Sequence, residues 1–227
     1  MTLGIFFARY NLGNQDLAAV IQLASLLPTL LVGALVAVIT KKVDKYHLFI
    51  AASIGSAAVG ILRYFIGYRN FTLFMAFAVI HGILTSLTGI LIYMFTPDCL
   101  EYGTYRTGER AEGVAASVQT FFTKLSNSIV GPFAFILLAL FGFVSGETAV
   151  QTETAQNGIF LCMTVFPAIG VAVSVLVLRW YKLRDKDVQV MSEYNMGKIT
   201  KQEAESILKE KYGPAADIGK LVITDTL

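Results

Sequence analysis

The stretch Pro97–Ser128, PDCLEYGTYRTGERAEGVAASVQTFFTKLSNS, is a charged knot between long apolar segments that otherwise tolerate almost no charge. Asp98 and Glu101 close one apolar segment, and Arg106, Glu109, Arg110 and Glu112 crowd a short connection. Lys124 then stands deep inside the next segment. An ammonium at such depth is expensive in hydrocarbon and by default marks a functional site.

The flanking chain explains why charge is rare. Mean hydropathy is +0.63, and 55% of the residues are hydrophobic against 15% charged, where a soluble domain carries about a quarter charged. This is the composition of a membrane protein, and 227 residues hold five or six spans of about 20 residues each plus a tail. The net charge of +2 names no partner. The basic residues sit in loops without interleaved aromatics, which argues against nucleic acid. No metal-ligand cluster, nucleophile–base arrangement or phosphate-binding glycine loop stands in the sequence, so an enzyme is disfavoured. Cys99 and Cys162 are expected on opposite membrane faces, too far apart for a disulfide, and read as small apolar fillers. The N-terminus lacks a basic n-region and a cleavage pattern, so it is not read as a signal peptide. Residues 3–8 read as the end of a helix that begins upstream.

Five full spans are expected: Leu17–Thr40 with Pro28 inside, Leu48–Gly67, Phe71–Phe95, Gly113–Val144 and Gly158–Trp180 with Pro167 inside. The second is rich in Ala, Gly and Ser, which lets helix backbones approach closely in lipid, and its Arg63 is expected to snorkel to the interface. The third carries His81, read either as part of a proton or substrate path or as a neutral ring hydrogen-bonded to a neighbouring helix. The fourth is too long for a straight crossing, and Gly131-Pro132 is expected to interrupt and bend it. At 100° per residue, Gln119, Thr123, Asn127, Thr120, Lys124 and Ser128 fall at about 0, 40, 80, 100, 140 and 180°, one half of the helix surface. Lys124 lies roughly 16 Å into its helix, counted from Gly113, near the bilayer midplane. Amides, hydroxyls and an ammonium on one face supply hydrogen-bond donors and acceptors that would be wasted facing lipid. The rival reading of Lys124 is a buried salt bridge that fixes packing, although no acid of comparable depth is present in this chain.

Loop charge orients the bundle. Lys41, Lys42 and Lys45, the arginines of 98–112 and the residues after Trp180 alternate with a connection, Ser145–Gln156, that carries Glu147 and Glu153 and no basic residue. The positive-inside rule places the basic loops and the C-terminus in the cytoplasm. The tail reads as a solvated helical hairpin, its second helix opened by the capping box Thr200-Lys201-Gln202-Glu203.

The wording of the central stretch resembles the glycoside–pentoside–hexuronide:cation symporters, the melibiose-permease-like branch of the major facilitator superfamily. The matching residues are Asp98, Glu101-Tyr102-Gly103, Arg106, Arg110, Glu112, Ser117-Val118-Gln119-Thr120 and Lys124, without a gap. The resemblance implies an all-α polytopic bundle, the C-terminal six-helix half of such a transporter, with helix 7 partial and helices 8–12 complete. Residues 1–181 would form the transmembrane bundle and 182–227 a cytoplasmic helical tail. It implies secondary active transport of a sugar or glycoside with Na⁺ or H⁺ by alternating access in the plasma (inner) membrane. Gln119, Thr120 and Lys124, with Thr123 and Asn127 on the same face, would border the substrate, and Asp98, Glu101, Arg106 and Arg110 would form ion pairs of a cytoplasmic gate. The rival for that gate is a solvated loop whose arginines only set topology. No cofactor is implied beyond the coupling cation, whose acidic ligands the family carries in an N-terminal half that would be the partner of this chain. The family's aromatic beside the sugar is replaced here by Gly89, so the substrate is expected to differ from melibiose. A lipid-type substrate and a non-transporting membrane assembly module remain as alternatives.

Overall fold

A computed structural model describes residues 2–146, 149–208 and 211–216; the expectation for Glu147 falls outside them. Among the described residues every regular element is helical. A short α1, Thr2–Phe6, widens into a π turn at Phe7–Asn11. Then come α2, Leu17–Ile39; α3, Lys45–Ile66; α4, Phe71–Thr107; α5, Glu112–Leu140; and α6, Glu153–Leu178. Two shorter helices follow, α7, Asp185–Asn195, and α8, Lys201–Leu208. The five helices α2 to α6 are long and apolar enough to cross a membrane. Polar side chains open three of the membrane-length helices: Asp44 accepts from Tyr46 N in α3, Asn70 from Leu73 N in α4 and Thr152 from Ala155 N in α6, each satisfying an orphan amide of the first turn.

The frame is built around α3 and α4. α3 packs against α4 and α6, and α2 packs against α4. Its small residues permit this. A methyl on Gly60 would come within 3.1 Å of both the Thr164 carbonyl oxygen and the Ala168 Cβ on α6. Pro28 removes the amide that would have paired with the Ala24 carbonyl, and Gly82 of α4 seats there, where a methyl would lie 3.4 Å from the Pro28 ring and 3.5 Å from that carbonyl. At the end of the bundle away from the basic loops, Phe7, Phe74 and Phe160 form an aromatic core with ring centroids 5.2 and 5.5 Å from Phe7. Both cysteines are free, Cys162 buried and Cys99 exposed.

Four expectations need correction. Arg63 does not reach outward; it is 7% exposed, with its guanidinium 4.9 Å from the Phe74 ring centroid. The ring face rewards a desolvated cation at that distance. The third span does not stop at Phe95: α4 continues through Pro97 to Thr107, and its 37 residues reach about 55 Å at 1.5 Å per residue, far beyond a hydrocarbon core of about 30 Å. α5 stays helical through Gly131-Pro132 and ends at Leu140, because one lost hydrogen bond does not outweigh the turns on either side. The tail is not a solvated hairpin. Tyr105, in the last turns of α4, is wholly buried among Leu183, Val188, Met191, Tyr194, Leu208 and Tyr212. Ala216 N donates to the Tyr105 carbonyl at 2.9 Å, and Arg106 Nη1 to the Pro214 carbonyl at 2.7 Å. The expected capping box is formed: Glu203 Oε2 accepts from Thr200 N at 2.7 Å while Glu203 N donates to Thr200 Oγ1 at 3.3 Å.

Candidate functional site

The polar half of α5 faces two recesses rather than one. Residues four apart stack along a helix, so Gln119, Thr123 and Asn127 form one row and Thr120, Lys124 and Ser128 the next. The first row lines a cavity of about 870 Å³ between α4 and α5, opposite Tyr93, Thr96 and Cys99 of α4 and bordered also by Leu178 and Tyr181. Phe95, Val118 and Phe122 make much of its wall apolar. Thr120 and Lys124, with Ser117 and Phe121, line a shallow, open recess formed by side chains of α5 alone. The structure thus brings Gln119, Thr123 and Asn127 together and sets Thr120 and Lys124 on the adjoining flank. Lys124 has neither a hydrogen bond nor an ion pair with any described residue. Thr123 Oγ1 and Ser128 Oγ are turned back on the helix, donating to the Gln119 and Lys124 carbonyls at 2.9 Å each.

His81 lies apart from both recesses. Its Nε2 is 3.4 Å from Ser56 Oγ and close to Gly60, where α3, α4 and α6 converge.

The charged side chains expected at the gate fall into two ionic groups. Arg110 pairs with Glu101 at 2.9 Å and with Glu112 at 2.6 Å; the hydrogen bonds it donates, to Glu112 first and Glu101 second, hold its guanidinium more firmly protonated than usual. Asn195 Nδ2 of α7 donates to Glu101 Oε2 at 2.8 Å, tying this pair to the tail. Asp98 pairs instead with Lys45 at 2.6 Å, the side chains 7% and 14% exposed. Lys45 Nζ also lies 3.5 Å from Asp185. Backbone amides lock this group: Lys45 N donates to Asp185 Oδ2 and Asp185 N to Asp44 Oδ2. Arg106 belongs to neither group, since it holds the tail through Pro214.

Lys45, Asp185 and Asn195 are the members that sequence reading passed over. The lone acid Asp44 beside Lys45 in a basic loop, and Asp185 immediately after the last span, were the available signals.

The profile of the family described as MFS/sugar transport protein matches residues 1–185. The chain is 30% identical over 190 residues to the uncharacterised symporter YjmB of Bacillus subtilis (strain 168), covering 80% of this chain and 39% of that protein. It is 25% identical over 183 residues to the glucuronide carrier protein homolog of Escherichia coli (strain K12), covering 80% and 40%. The raffinose carrier protein of Pediococcus pentosaceus is 25% identical over 199 residues, covering 85% and 30%. The chain spans about two fifths or less of the length of these relatives. No solved structure matches.

Proposed function

Because the chain belongs to the MFS/sugar transport protein family, a family of transporters rather than enzymes, we propose that it forms the C-terminal half of a symporter that moves a sugar or glycoside with Na⁺ or H⁺ by alternating access. One observation carries this reading: a lysine without an acidic partner among the described residues stands inside a membrane-length helix beside free amides and hydroxyls. Such groups facing acyl chains would be costly. They are explained by a water- and substrate-filled cavity, with the remaining wall and the cation's acidic ligands supplied by an N-terminal half. The names of relatives as a raffinose carrier and a glucuronide carrier homolog support a carbohydrate substrate.

In this reading residues 1–181 sit in the plasma (inner) membrane and residues 182–227 form a cytoplasmic tail, in keeping with the positive-inside bias of the basic loops. The Arg110–Glu101 and Lys45–Asp98 pairs hold the cytoplasmic side shut while the site faces outward, and opening inward separates them. His81 serves helix packing, since its polar neighbour is Ser56.

The test is counterflow of labelled sugars by the native protein and by Lys124→Gln. Insertion should be unchanged or slightly easier, because a charge at helix centre disfavours it by about 2.5–3.5 kcal/mol on translocon scales, while accumulation should collapse. Full accumulation by the variant would remove Lys124 from the site. The apolar wall of the larger cavity favours a second reading, a lipid-type substrate of the same superfamily branch. Counterflow of a labelled lysolipid, with none of labelled sugars, would select it.

A further inference from the structure

Where α2, α3 and α6 end together, the charges divide by direction. The acids face inward: Asp44 accepts from Tyr46 N and Asp185 N, Asp185 accepts from Lys45 N, and Asp98 takes the Lys45 ammonium. The cations around them are left over. Lys41, Lys42, Arg179 and Lys182 are exposed, and none makes an ion pair or a side-chain hydrogen bond with a described residue. A shared apolar plug sets their place: Val36 near the end of α2, Phe49 of α3 and Phe95 of α4 pack with Leu178 and Tyr181 at the end of α6. Lys41 and Lys42 follow α2, and Arg179 and Lys182 follow α6, all within about one turn of the last helical residue. Two apolar groups stand uncovered among them, Val43 at 42% and Trp180 at 80% exposed.

We propose that this end of the bundle is a docking surface for anionic phospholipid, with the four cations on the phosphates and Trp180 seated among the headgroups. Depth and charge together name the occupant. A cation one turn past a membrane-spanning helix stands at headgroup level, and the long stems of Lys and Arg let the charge reach the surface while the methylenes stay on apolar ground. Each such residue beside an anionic leaflet raises affinity by about fivefold. A zwitterionic headgroup brings no net charge to meet them. Trp180 adds an apolar body and an N–H donor, the combination that suits the boundary between acyl chains and water. The inward turn of Asp44 and Asp185 matters here, because either carboxylate turned outward would have neutralised a neighbouring lysine. The surface requires α2 and α6 to span a membrane and does not rest on the transport reading.

Trp180 is the single tryptophan of the chain, so its emission reports on this surface. The native protein is placed in phosphatidylcholine vesicles containing roughly one third phosphatidylglycerol, with bromine on the acyl chains of one lipid or of the other, and quenching of Trp180 gives their relative affinity. Phosphatidylglycerol should be preferred by more than about fivefold. Salt at about 1 M should largely abolish the preference, since the screening length falls to about 3 Å. Lys41→Gln, Lys42→Gln and Lys182→Gln combined should bring the two lipids level, whereas Arg69→Gln, at the other end of α3, should leave the preference intact. Thermal unfolding in phosphatidylcholine alone shows that the variants fold, and if the triple variant does not, the salt response of the native protein decides. Equal quenching by the two lipids would overturn the surface, as would a preference that survives the triple substitution or high salt. Displacement of brominated phosphatidylglycerol by inorganic phosphate at constant ionic strength would overturn a lipid occupant in favour of a soluble anion.

Discussion

Helices α3 and α5 are both membrane-length, yet they end in opposite conditions. α3 buries Phe49, Ala52, Ser53, Ser56, Ala57, Gly60 and Arg63 against α4 and α6. Of α5 only Leu138 is buried. Each carries a lysine, and these differ in the same way: Lys45, the first residue of α3, is held by Asp98 and Asp185, whereas Lys124 is held by no described residue. A helix that is finished by its neighbours can afford few changes. One that offers charge and amides without cover from the described residues is the helix on which the proposed transport site rests.

The largest effect should come from the two lysines. Asp98→Ala leaves Lys45 buried with only the more distant Asp185, and should cost about 3 kcal/mol of stability. Lys124→Gln should stay within about 0.5 kcal/mol. Thermal unfolding of both variants in detergent measures the contrast, and equal losses would erase the distinction between the helices. Gly60→Val should cost about 1–3 kcal/mol or more, because backbone and Ala168 leave no room for the added methyls. Gly113→Ala on α5, where nothing lies within 4 Å, should instead stabilise by about 0.5 kcal/mol through a stiffer unfolded chain. Finally, Arg110→Gln breaks a half-exposed pair and should change stability by only about 0–1 kcal/mol, so a loss matching Asp98→Ala would show that both ionic groups at the basic end are buried in the working protein.

Hydropathy located all five long helices, and their ends are off mainly where charge enters. α4 reads as stopping at Phe95 because Asp98, Glu101 and Arg106 look like a loop. A helix leaving the membrane keeps its hydrogen bonds and changes only its surroundings, so polarity marks the bilayer surface and not the helix end. Arg63 failed for the converse reason. Its position near a helix terminus suggested an escape to water, but nothing local reveals that the Phe74 ring lies across the path. The polar face of α5 was legible because 3.6-residue periodicity is a property of one helix. Its division between two recesses was not, because that depends on where α4 stands beside it.

The sequence by itself determined what each segment is: an apolar span, a capped helix, a polar face, a family motif that runs without a gap from Asp98 to Lys124. These follow from local hydrogen bonding, periodicity and the cost of charge in lipid, which neighbours in the chain settle among themselves. Only the tertiary structure decided which charges meet. Lys45, Asp98 and Asp185 stand 53 and 140 residues apart as the pairs are counted, and Asn195 reaches Glu101 across 94. A salt bridge needs a few ångströms in space and carries no signal along the chain, so the packing of α3, α4 and the tail had to bring those partners together before any of them could be seen.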